Sequence, residues 1–151
     1  MARMYSRRKG KSGSKKPIIK VKPTWMPIKE KEVELLIAKL AKDGQGPSEI
    51  GLHLRDSYGI PDTQTVLGKS ITQVLKDKKL QGELPEDVLN LMSRVVQIGK
   101  HFEQNHKDMT AKRGLQLTES KILRLVKYYK KTGRIAAEWK YNRSQASFYV
   151  E

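Results

Sequence analysis

Two runs of helical periodicity, 88–102 and 115–129, constrain this chain more than anything else in it. In the first, Val88, Leu91, Met92, Val95, Val96, Ile98 and Phe102 recur at helical spacing. With about 3.6 residues per turn they line up as one apolar stripe. In the second, Leu115, Ile122, Leu125, Val126 and Tyr129 do the same, and the polar stretch His106-Lys107-Asp108 separates the two. Two amphipathic helices on so short a connection bury their stripes by folding back on each other, so the spacing predicts an antiparallel hairpin. Its ends carry matching signals. Pro85 suits a first turn, where its missing N–H costs nothing, and Glu86 and Asp87 suit the positive end of the helix dipole. Thr110 is the expected cap of the second helix, which closes near Lys131-Thr132-Gly133.

Shorter helices precede the hairpin. Beyond Pro23, Trp25 and Pro27, the residues Val33, Leu36, Ile37 and Leu40 share a face, and Asp43-Gly44 ends that helix. Gly46-Pro47-Ser48-Glu49 opens another, with Ser48 as the expected cap and Ile50, Leu54 and Tyr58 on one side. Gly59-Ile60-Pro61-Asp62 breaks the pattern. A short helix is expected from Asp62, and Ile71, Val74 and Leu75 define one more. No segment alternates with period two for more than a few residues. The predicted class is all-α: an extended tail over 1–22, a small N-terminal helical domain over 23–79 and a helical domain over 80–151. Residues 135–151, with Trp139 and Tyr141, add a last docked turn.

Charge separates the same segments. Residues 1–22 hold nine basic side chains and no acid, residues 23–101 hold eleven of each sign, and residues 102–134 hold nine basic against three acidic. The net charge of +15 is therefore confined to two stretches. Solubility alone is served by dispersed charge, so concentration points to a polyanion, and nucleic acid is the usual one. In the tail, Arg3, Arg7, Arg8, Lys9, Lys11, Lys15 and Lys16 stand among Gly and Ser with almost nothing to bury. Such a segment is expected to be disordered alone and to order on phosphates.

Other classes fall away. Without cysteine there is no disulfide, thiolate zinc site or cysteine nucleophile, and three histidines without an HExxH pattern argue against a catalytic metal. No cofactor is expected. No apolar run is long enough to span a membrane, and Met1–Gly13 lacks the apolar core of a secretory signal, so a soluble intracellular chain is expected. His53 and Trp25 read as packing or surface residues.

On the second long helix, Arg113, Ser120, Arg124, Lys127, Tyr128 and Lys131 fall within about 60° of Arg113, while the apolar set lies about 120° to 220° away. That outer face carries almost no acid, so it lacks the i,i+4 ion pairs of a helix adapted only to water. Cations for phosphate and an aromatic that stacks or donates suit RNA. In the preceding loop, Asp108 beside His106 and Lys107 is most simply a turn or cap residue. It is also a carboxylate able to accept from a base amino group, with His101 as a donor. No nucleophile or oxyanion device stands near them, so no catalysis is expected.

At this point the sequence resembles a family. His101, then Asp108, then Lys112-Arg113-Gly114-Leu115, then Arg124 and Tyr128, resemble the RNA-binding signature of the universal small-subunit ribosomal protein fifteen family, with Gly82 and Arg94 at further RNA-contacting positions. KPTW (22–25), GPSEIGLHLRDSYGIP (46–61) and LPEDV (84–88) resemble its archaeal and eukaryotic branch, whose eukaryotic member is called small-subunit protein thirteen. The resemblance implies direct binding to the central domain of small-subunit rRNA, early in assembly, and later a bridge to large-subunit rRNA, among neighbouring small-subunit proteins. It implies contacts from His101, Asp108 and Thr110 to Arg113 at a purine-rich internal site. Gly82, Arg94, Arg124 and Tyr128 would serve a three-way junction. Lys107, Lys127 and Lys131 are expected on the same RNA surface. Ala111 stands where bacterial members carry Ser, with Thr110 as the neighbouring hydroxyl, and Asn105 replaces a second family histidine.

A DNA-binding regulator is the rival reading, from the short helices of 47–78. It fails on charge, because segment 62–75 offers mainly Lys69 against Asp62. Trp139-Lys140-Tyr141 reads equally as a base-stacking or a core-packing group.

Overall fold

The computed structural model describes residues 28–150 together with 18, 21, 22 and 24–26. The tail cations Arg3 to Lys16, and Pro23 and Pro27, lie outside the described residues. Among those described there are six α-helices and one 3-10 turn, and no strand. They divide into two compact units, one ending at Gly82 and the other starting at Glu83. No helix among the described residues is long and apolar enough to cross a membrane.

The N-terminal unit holds α1 (Glu30–Lys42), α2 (Pro47–Asp56), α3 (Thr63–Leu67) and α4 (Ile71–Asp77). Val33 and Ile37 of α1, Ile50 and Leu54 of α2, Ile60, Val66 of α3 and Val74 and Leu75 of α4 form one closed core. Each fully buried aliphatic of this kind contributes about 1.5–3 kcal/mol. Two details differ from the sequence reading. Ser48 does not cap α2: Gly46 is the cap and Pro47 the first helical residue, with the Gly46 N–H donating to Glu49 Oε2 at 3.4 Å. Proline needs the position whose N–H is unpaired anyway, which pulls the helix start two residues earlier. Tyr58 lies beyond the end of α2 and is exposed, since the chain turns at Ser57 to present Ile60 to the core instead. α4 is capped by Ser70, whose Oγ accepts from the Gln73 N–H at 3.2 Å, and its C-terminus is tied to α1 by Lys78 Nζ donating to the Glu34 carbonyl at 2.8 Å.

The second unit is the hairpin, α5 (Glu86–Gln104) and α6 (Met109–Lys131), 19 and 23 residues long. Pro85 is the residue just before α5 rather than its first turn. Leu84, Val88, Met92 and Val95 meet Leu115, Ile122 and Val126 in a single core, closed by Ile135 and Ala146 of the C-terminal segment. Leu91, Val96, Ile98, Leu125 and Tyr129 flank it half-buried. Phe102 instead covers the loop end, its ring 6.0 Å from that of His106, edge to face. α6 stops at Gly133, whose φ of +70° favours glycine, and the next N–H, of Arg134, closes on the Tyr129 carbonyl at 2.9 Å. The last turn, Ser147–Tyr149, packs on α5. Trp139 and Tyr141 pack half-buried against the core, and the Tyr141 hydroxyl is enclosed with no hydrogen-bond partner, so packing rather than base stacking is what their geometry serves.

Candidate nucleic-acid interface

The loop between the long helices is organised around Asp108. It is the N-cap of α6, because a short carboxylate just before the first turn reaches N–H groups that no earlier carbonyl accepts from. Asp108 Oδ1 accepts from the Ala111 N–H at 2.9 Å and from the Thr110 hydroxyl at 2.6 Å. Oδ2 faces His101 Nε2 at 3.0 Å. The Thr110 hydroxyl, the Ala111 N–H and His101, in that order, hold the Asp108 carboxyl well below the usual carboxylate range. Thr110 is therefore not the cap expected from sequence: it stands two residues inside the helix and spends its hydroxyl hydrogen on the residue that is. Asn105 ends α5, and its side-chain amide donates to the His101 carbonyl at 3.2 Å. His101, Asn105, Asp108 and Thr110 thus form one continuous hydrogen-bonded group on the surface.

The far end of the hairpin has its own clamp. The Tyr129 hydroxyl donates to Asp87 Oδ2 at 2.7 Å. Burial first, and then this bond, push the Tyr129 phenol up to about 12. Tyr128 packs edge-on against Tyr129, ring centres 5.2 Å apart, and is itself 58% exposed. Asp87 was legible only as a residue suited to a helix start, since its partner lies 42 residues away in sequence.

Between the two ends, α6 carries seven basic side chains and one acid, Glu119. Lys112, Arg113, Arg124, Lys127 and Lys131 are all exposed. Arg113 Nη1 reaches Gln116 Oε1 at 3.3 Å, and Glu119, the one acid of α6, lies 3.7 Å from Arg143. Lys130 has a structural task instead, donating to the Ala137 carbonyl at 2.7 Å. Arg94 is exposed on α5, Lys107 is exposed in the loop, and Gly82 is exposed at the end of the other unit. The structure thus brings His101, Asp108 and Thr110 into contact, and sets Tyr128 beside the Tyr129–Asp87 clamp. In the N-terminal unit, Lys69 pairs with Asp77 at 3.2 Å, which takes up the cation that the DNA reading needed most.

Residues 69–148 match the family described as ribosomal protein S15, and residues 1–60 match the ribosomal S13/S15 N-terminal domain. The chain belongs to the ribosomal protein S15 family. Small ribosomal subunit protein uS15 of Methanocella arvoryzae is 43% identical over 150 residues, 99% of each chain. The uS15 of Methanococcus vannielii is 44% identical over 100% of both, and that of Sulfolobus acidocaldarius is 44% identical over 95% of this chain and 94% of its own. As an S15 protein the chain is a structural component of the small ribosomal subunit in the cytoplasm, part of a ribonucleoprotein engaged in translation, and not an enzyme. The S15 match begins at Lys69, so the matched span takes in α4 and Gly82 as well as the hairpin.

Proposed function

We propose that this S15 protein binds the central domain of small-subunit rRNA directly at a helical junction, supports subunit assembly and contributes to a bridge with large-subunit rRNA. The observation that carries the reading is the acid-poor outer face of α6 running away from the capped loop. In this reading Arg94, Arg124 and Tyr128, with Gly82, serve the junction. His101, Asp108, Thr110, Lys112 and Arg113 serve an internal site, with Lys107, Lys127 and Lys131 on flanking phosphates. A carboxylate offers about four acceptor positions, and Asp108 fills three within the protein, which leaves one for a base amino group. Ala111 supplies only its N–H to this loop, so recognition there rests on Asp108 and His101 rather than on a serine hydroxyl. Division of labour follows the chain: tail 1–22 to phosphate, domain 23–79 as a structural or RNA-docking module, domain 80–151 to rRNA.

Chemical footprinting on naked small-subunit rRNA tests the reading. Protection is expected at one junction of the central domain, and scattered or absent protection would refute it. Subunits reconstituted without the chain are expected to join large subunits less well; unchanged association removes the bridge.

A further inference from the structure

One face of α5 carries two side chains, Asn90 and Gln97, that the contacts above do not use. Asp87, Asn90, Arg94, Gln97 and His101 lie within about 80° of one another at 100° per residue, directly opposite the buried Val88, Met92 and Val95. All five are exposed. The one acid among them, Asp87, is engaged by the Tyr129 hydroxyl and the Val88 N–H. A face adapted only to water would carry Lys and Glu at i,i+4, and this one carries two amides, an arginine and a histidine. Its ends are fixed to α6: Asp87 joins Tyr129, on which Tyr128 packs, and His101 joins Asp108. Asn90 and Gln97 therefore sit along the roughly 21 Å of helix, at 1.5 Å per residue, that links the two ends of the candidate interface.

We infer that Asn90 and Gln97 are RNA-contact residues that hydrogen-bond ribose 2′-hydroxyls of a duplex laid along α5. A primary amide both donates and accepts, as does a 2′-hydroxyl, so the pair matches in either orientation, and the shallow groove of an RNA helix displays those hydroxyls. Uncharged amides displace no condensed counterions, so contacts along this line add no salt dependence, and contacts to 2′-hydroxyls distinguish RNA from DNA. The inference rests on the rRNA-binding reading given above and deepens it.

The test uses the full chain and a transcribed central-domain fragment of archaeal small-subunit rRNA, with a second fragment carrying 2′-deoxy riboses in the protected duplex. Wild-type binding to the first fragment establishes the underlying reading; its absence overturns that reading and this inference together. Where wild type binds, Asn90→Ala with Gln97→Ala is expected to weaken binding about tenfold, the size of two modest hydrogen bonds. The slope against salt and the melting temperature should stay unchanged. On the 2′-deoxy fragment wild type should lose a similar factor, and the double variant should lose nothing further. Wild-type affinity in the double variant, or an equal additional loss on the 2′-deoxy fragment, overturns the assignment and leaves this face of α5 to a protein neighbour.

Discussion

Asp108 caps α6 and is proposed to read RNA as well, two roles that substitution separates. As the cap of α6 it needs only an oxygen acceptor, which asparagine also offers. Asp108→Ala is expected to lower the melting temperature by roughly 2–8 °C, the range for a lost cap, and Asp108→Asn by much less. On cognate RNA both should lose affinity if the charge is read, whereas an asparagine variant binding as wild type assigns the residue to capping alone. The sign of the pH dependence is fixed by its depressed pKa. The stabilisation is complete above the ordinary carboxylate value near 3.8 and is lost as pH falls below it toward the lower folded value. An acid melt of wild type should steepen there, and that of Asp108→Ala should not. Tyr129 behaves oppositely. Its pKa is raised from 10.0 to about 12, so its contribution is complete below 10 and lost as pH rises toward 12. An ultraviolet phenolate titration should show a late tyrosine that Tyr129→Phe removes, while Tyr141, whose phenol burial also pushes up, stays late in both proteins.

At the scale of elements, the hairpin was legible because its apolar spacing admits one solution. Ile122 is fully buried between the helices, and Ile122→Ala should cost about 2–5 kcal/mol by denaturant unfolding. Two glycines run against the helical pattern. A Cβ built on Gly99 of α5 or Gly114 of α6 meets nothing within 4 Å. Alanine at either site should therefore stabilise by up to about 1 kcal/mol in the same measurement. What the sequence did not disclose is tertiary in origin. Ser48 and Thr110 are good caps by composition, yet Gly46 and Asp108 hold those positions. Pro47 fixes the start of α2 in one case, and a carboxylate competes with a hydroxyl in the other. The candidate site was half visible. His101 and Asp108 stand out as residue types, but their contact and the Asp87–Tyr129 clamp depend on which turns face each other across the hairpin, which no local pattern encodes.

For the whole molecule, the proposed function assigns affinity to the basic tail and specificity to the helical hairpin with its loop. Each tail cation placed on a phosphate adds roughly 0.7–0.9 to the slope of log affinity against log salt. Removing residues 1–22, which carry nine cations, should flatten that slope by several units and weaken cognate and unrelated RNA alike. An unchanged slope means that the tail contacts protein. The hairpin's two clamps also set an order of events in time. His101 and Asp108 are 7 residues apart in sequence, Asp87 and Tyr129 are 42 apart. Closing the larger loop from an open chain is roughly fifteenfold less probable by loop-closure entropy alone. The hairpin should therefore zip from its loop outward: Asp108→Ala should slow refolding, while Tyr129→Phe leaves refolding nearly as it was and speeds unfolding. A chain emerging from synthesis in that order closes the loop cluster first and joins Asp87 to Tyr129 last.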